Sequence, residues 1–321
     1  MKKLFFFAAM AVVLLGCKQN EPEQPQPEPQ QEAEENYFMN PMAFNGTFIE
    51  TGNALLYAAE QASLPAPARV AAAETTYPLI SWTPQDGTWP IDLNVDYGSQ
   101  KIVGKDGLEH TGTMLVHATG RFENEGTQLD VQFQNFYVYG AVLHGTQHIS
   151  NTGKDEKGSP KFEVTVENAY LGASKTWIYN ETTTRVLKNG LRDNGTMDPD
   201  VTTHSYGITG RMEAQSQVDT IPGYTVAIYD NAPMHIIVGD LYPVSGQLEI
   251  HLSQPISYTM EGMTLQMQDL VLEFTGINDD DTYGAQVTAQ VSFGMATQEI
   301  KLAFSLDKDG IIEESIHPVT E

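Results

Sequence analysis

From Trp89 onward, apolar and polar residues alternate along the chain. Ile91, Leu93, Val95 and Tyr97 are separated by Asp92, Asn94 and Asp96, and Leu129, Val131 and Phe133 by Asp130 and Gln132. The same rhythm returns in Phe162, Val164 and Val166, in Leu248, Ile250 and Leu252, in Val287 through Phe293, and in Ile300 through Leu306. A period of two sends successive side chains to opposite faces, so one apolar and one polar face predict antiparallel sheet wetted on one side. Turn-forming residues lie between the runs: Asp106-Gly107, Asn189-Gly190, Asn194-Gly195, Asp279-Asp280-Asp281 and Asp309-Gly310. No long helical pattern separates them, as parallel crossovers would require. The expected fold class is all-β, as an antiparallel β-sandwich or an extended β-meander.

One helix is predicted, over residues 46–62, with Thr51 or Asn53 as its cap and Pro65 and Pro67 ending it. Its broadly apolar face, with Leu55, Leu56, Ala59 and Ala62, is expected to pack on a sheet edge or end. A faint repeat relates Gly112–His117 (GTMLVH) to Gly246–His251 (GQLEIH), and Gln134-Asn135-Phe136 to Gln268-Asp269-Leu270. It suggests two similar β-units, residues 78–200 and 201–321, after a helix-and-connector segment, 37–77.

The amino-terminal residues carry a different pattern. Residues 1–16 hold Lys2 and Lys3 and then an uncharged apolar run, Leu4 to Leu15, too short to span a bilayer and of signal-peptide length. Leu14-Leu15-Gly16-Cys17 resembles the lipobox of bacterial lipoproteins. That resemblance implies diacylglycerol on the Cys17 thiol, cleavage before it, and acylation of the new terminus. A plain secreted protein is the alternative. Two or more acyl chains hold a protein on a membrane stably where one does not. Residues 17–36 continue as an acidic Pro, Gln and Glu stretch whose prolines favour polyproline II and which offers nothing apolar to bury. A disordered stalk is expected there. Acidic residues after a lipidated cysteine also resemble the surface-export signal of Bacteroidota lipoproteins, and a periplasm-facing linker satisfies the same sequence. An outer-membrane location, facing the periplasm or the cell surface, follows as the expectation.

Composition narrows the partners. With 17 Lys plus Arg against 42 Asp plus Glu, the net charge is -25, which opposes nucleic-acid binding through phosphates. The single cysteine excludes an intrachain disulfide and a Cys-rich zinc site.

The segment Trp89–Gly153 holds Asp106-Gly107, Gly112, Asn135-Phe136, Gly140, Gly145 and Asn151-Thr152-Gly153. In this pattern it resembles a group of uncharacterised β-rich lipoproteins of Bacteroidota, with His110 where Arg is usual. The resemblance implies location and fold, and no chemistry. Read physically, Gly107 and Gly140 suit positive-φ turns, Asn135 a strand start, and Phe136 and Val138 the core.

No phosphate loop, nucleophile elbow or zinc-protease motif occurs. His144 and His148 would share a strand face too far apart to bind one metal, and His117 and His251 hold equivalent repeat positions on a polar face. Asp279–Gly284 begins like a calcium loop, but Gln290 stands where a bidentate Glu is needed, so a hairpin turn explains it better. Met260, Met263, Met267 and Met295 could line an apolar groove or fill a core. Trp82, Trp89 and Trp177, with Tyr137 and Tyr139, could form a sugar-stacking platform or simply suit strands. Asp219-Thr220-Ile221 resembles a Bacteroidota O-glycan acceptor, with Thr220 as the modified residue.

No catalytic residue, metal ligand or cofactor is expected. The leading reading is a non-enzymatic envelope lipoprotein whose β-module binds glycan or protein, or serves envelope assembly. The second is a carrier of a lipid or other apolar ligand in a Met-lined cavity. The third is a hydrolase using two dispersed carboxylates, which a pair of close, unequally placed acids would support.

Overall fold

A computed structural model of the chain describes residues 39–63, 77–138, 140–173, 175–217, 222–240, 242–260, 263–293, 296–307 and 310–319. Cys17, the stalk, Tyr139, Thr220 and Met295 lie outside these, as do the side chains of Met260 and Met263. The described residues form a helix α1 (Met39–Ser63) and one antiparallel sheet of fifteen strands. In chain order these are β1 (Leu79–Thr83), β2 (Ile91–Val103), β3 (Glu109–Ala118), β4 (Gln128–Val138), β5 (Ala141–Lys154), β6 (Pro160–Leu171), β7 (Trp177–Asn189) and β8 (Ser205–Ser216). There follow β9 (Tyr224–Ile228), β10 (Met234–Ile237), β11 (Gly246–Met260), β12 (Met263–Ile277), β13 (Tyr283–Phe293), β14 (Ala296–Asp307) and β15 (Gly310–Pro318). The all-β expectation holds, and of its two forms the meander is the one observed.

Neighbours in sequence are neighbours in the sheet, with one exception. β8 pairs first with β10 (Ile208↔Met234) and further along with β9 (Gly210↔Ile228), and β9 then pairs with β11. The sheet runs without a break from β7 into β8, through the region where the two β-units were expected to join. Both outer strands have features that limit edge pairing: β1 is short and lies between Pro78 and Pro84, and β15 ends on Pro318.

Helix α1 departs from expectation in extent and in place. It begins at Met39, with Pro41 close to its start, where a missing N–H costs least. Thr51 is therefore a buried mid-helix residue, and neither it nor Asn53 caps anything. Nor does the helix sit at a sheet edge. Phe44 stacks on Tyr179 of β7 and meets Phe133 of β4 edge-on, with centroids 5.7 and 5.8 Å apart. Phe48 meets Phe162 of β6 and Tyr206 of β8, and Tyr57 meets Trp82 of β1. One straight helix can touch all these strands only if the sheet curls round it. The cause lies in its composition: between Met39 and Ser63 only Glu50 and Glu60 are charged, and a helix apolar on every side must be buried on every side.

The curl has a local origin. Gly98, Gly112, Asn135, Gly145 and Asn168 all have positive φ, and they sit at or beside register shifts on β2, β3, β4, β5 and β6 in turn. A bulge bends its strand and increases the twist, so a band of bulges crossing five strands bends the sheet along a line. Asn135 thus lies within β4 rather than at a strand start. It also resets the alternation, which brings Phe136 and Val138 inward as expected. A side chain at Gly112 would overlap the Asn135 carbonyl. The inner faces of β11 to β14 continue the same core through Ile250, Leu272, Val287 and Phe304.

Candidate functional site

Two kinds of polar site emerge, one on the outer face and one inside. On the outer face, Asp92, His117, Asp130 and His148 occupy one register row across β2, β3, β4 and β5. His117 Nδ1 lies 2.7 Å from Asp92, and His148 Nδ1 lies 2.5 Å from Asp130. His251 makes the same contact with Asp269 of β12 at 2.6 Å. His117 and His251 do therefore share an exposed setting, each beside a carboxylate on a neighbouring strand. His144 is separated from His148 by the Gly145 bulge and stacks on Tyr170, so the two do not converge. Among the described residues no group of three His, Cys, Asp or Glu side chains is placed to hold a metal ion.

A cleft of about 420 Å³ opens where β9 stops short and β8 and β11 run on past it. Glu213, Gln215 and Ser216 form one wall, His251, Ser253 and Gln254 the other, and Gly223, Tyr224 and Thr225 lie between. Gln215 donates to Glu213 at 3.0 Å, and Ser253 N donates to the Gly223 carbonyl at 2.7 Å. The volume is in the range of small-ligand sites. Among the described residues its walls present amide, hydroxyl and imidazole groups and the Glu213 carboxylate, a set suited to a polar, hydrogen-bonding ligand.

Inside, two polar clusters flank α1. In the first, Glu50 accepts from Tyr97 Oη at 2.6 Å and from the Asp106 backbone N–H at 3.0 Å. Both Asp106 oxygens lie 2.9 Å from His110 Nε2, and one accepts from Leu108 N. Burial and the neighbouring Asp106 charge push the Glu50 carboxyl up to about 7, outweighing its two hydrogen bonds. In the second, Glu181 accepts from Arg185, Tyr179 and Thr183, while Arg185 also donates to Asn45 and lies 4.4 Å above the Phe48 ring. Glu50 and Asp106 are a neighbouring pair of carboxyls, the feature that the hydrolase reading looked for. However, the Glu50, Asp106 and His110 side chains are buried.

Other sequence candidates disperse. Trp177 faces the core beside Tyr224, Trp82 packs on Tyr57, and only Tyr137 of the aromatic set is well exposed, so the described members make no shared platform. Met267 is core. Asp279–Thr282 forms the β12–β13 turn, closed by Asn278 N to the Thr282 carbonyl at 2.7 Å, as the hairpin reading required.

The buried clusters were missed in the sequence, although a signal was there. Glu181, Thr183 and Arg185 fall in phase with the apolar Trp177, Tyr179 and Leu187, and Glu50 is a charge in the middle of a helix whose other charge, Glu60, lies near its end. Polar residues on an apolar face must find partners in the interior. Searches among protein-family models, curated proteins and solved structures find no match to this chain.

Proposed function

We propose that the chain is a cell-envelope lipoprotein, held on the outer membrane through lipidated Cys17, whose β-module binds a polar ligand, glycan or protein, without catalysing a reaction. The anchor rests on the short apolar run ending in the chain's sole cysteine. The observation that carries the binding role is the filled interior. The concavity in which a carrier would hold an apolar ligand is occupied by α1, whose Phe44, Phe48 and Leu55 are buried against the sheet. Recognition then falls to the outer surface, where the β8–β11 cleft gathers hydrogen-bonding side chains.

Two measurements test this. Metabolic labelling with an alkyne fatty acid should mark the full chain and leave Cys17→Ser unlabelled; equal labelling of both would overturn the anchor. Organic extraction of the purified protein, followed by mass spectrometry, should release no stoichiometric lipid beyond that on Cys17. Stoichiometric free lipid would favour a carrier instead.

A further inference from the structure

The β8–β11 cleft has an order that strand register explains. One row crosses four strands: Glu213 of β8, Thr225 of β9, His251 of β11 and Asp269 of β12, each directly opposite the next. All four point to the outer face. Thr225 lies between buried Tyr224 and Val226, for example, and His251 between buried Ile250 and Leu252. Directly opposed side chains on one face stand about 5 Å apart, so Glu213 and His251 face each other across Thr225 from strands about 10 Å apart. One step along, Gly223 lies between Gln215 and Ser253 and contributes no side chain; a Cβ there would stand 2.7 Å from the Ala214 carbonyl oxygen. The cleft is the opening that this glycine leaves in the outer face.

The hydrogen bonds already made leave this row with acceptors. The Asp269 carboxylate can only accept from His251 Nδ1, 2.6 Å away, so the ring proton sits on Nδ1 and the neutral ring presents a lone pair at Nε2. Gln215 directs its amide N–H to Glu213, which leaves the Gln215 carbonyl oxygen and the second Glu213 oxygen open. Neither Glu213 nor His251 has a further hydrogen-bond partner among the described residues. None of the described lining residues is Lys or Arg, and Arg211, the next outward residue on β8, lies opposite Ala227 and near Tyr229. An anion in the cleft would meet Glu213 with no counter-charge, and the net charge of -25 would repel it further. A primary ammonium fits best, because it brings three donors together with the opposite charge. We infer that the cleft takes a ligand bearing a primary ammonium group, seated between Glu213 and His251 Nε2 and over the Thr225 hydroxyl. The inference rests on the cleft being where the module binds. An amino sugar and a polyamine both carry this group.

NMR titration of the full chain at about pH 7 and low salt tests it, with glucosamine, N-acetylglucosamine and 1,4-diaminobutane as probes and the His251 ring and Thr225 amide as reporters. The amines should shift both reporters and bind at least about tenfold tighter than N-acetylglucosamine, which keeps the sugar ring and loses the charge. Glu213→Gln, a change on the outer face, should weaken the amines about fivefold. Diaminobutane binding tighter than glucosamine points to a polyamine and the reverse to an amino sugar; either supports the ammonium. Equal or tighter binding of N-acetylglucosamine, or amine binding untouched by Glu213→Gln, would overturn the ammonium and leave the cleft as a site for neutral glycan. No shift at either reporter with any of the three probes would overturn the inference and the cleft as a binding site together.

Discussion

Glu50 accepts two hydrogen bonds that favour its charged form, yet burial and Asp106 keep its proton on to about pH 7. Because the folded value lies above the ordinary 4.5, the stability it contributes is fully present below about pH 4.5 and is lost as pH rises through 7. A shift of that size corresponds to about 3 kcal/mol. Urea unfolding of the unaltered chain and of Glu50→Gln should therefore diverge with pH, the variant gaining about that much between acid and pH 8. Parallel curves would contradict the assignment. Arg185 sets a different balance. Its ion pair with Glu181 is buried at 3.0 Å, and removing Arg185 leaves the Glu181 carboxylate buried without a counter-ion, held only by the Tyr179 and Thr183 hydroxyls. Arg185→Met should cost about 3–5 kcal/mol, whereas replacing both residues by apolar ones of similar size should cost much less. Chemical denaturation of the single and double variants measures the difference.

The elements themselves were largely legible. From Ile91 to Tyr97, β2 alternates inward and outward residues as its sequence does, since strand side chains take opposite faces whatever the neighbours are. In β4 the alternation breaks at Asn135, because a bulge inserts a residue and shifts the phase; periodicity alone does not reveal where that happens. Glycine and asparagine at Gly112, Asn135 and Gly145 were visible as a pattern, but their lining up across adjacent strands depends on register. If this band bends the sheet, its members are not equivalent to turn glycines. Gly112→Ala forces a side chain against the Asn135 carbonyl at φ 82°, while at Gly126, φ 86°, nothing lies within 4 Å. Thermal unfolding should show Gly126→Ala losing about 1 kcal/mol and Gly112→Ala about 3 kcal/mol or more. Equal losses would remove the special role of the band.

For the whole molecule, α1 is the interior of the curl rather than an attachment to it. Phe44 and Phe48 together touch β4, β6, β7, β8 and the β3–β4 turn through their rings. Replacing both by Ala removes that filling and should cost more than either single change, each about 3–5 kcal/mol. Loss of near-ultraviolet circular dichroism with strong binding of a hydrophobic dye is the expected signature in the double variant. An intact near-ultraviolet spectrum would mean that the sheet holds its curl unaided. Of the polar interior, the sequence offered only residues out of keeping with their neighbours, such as Arg185 in phase with Tyr179. The partner of each came from elsewhere in the chain: Asn45 is 140 residues from Arg185, and Tyr97 is 47 from Glu50.

Local sequence by itself determined the strand class, the turns and the antiparallel order, because backbone period, turn stereochemistry and short connections act over a few residues. It also determined that the helix would be apolar. Only the tertiary structure decided that the helix lies inside the sheet, that five bulges align, and that Glu50 meets Asp106. Those outcomes depend on the registers of many strands at once, and each register is fixed by contacts between residues far apart in the chain.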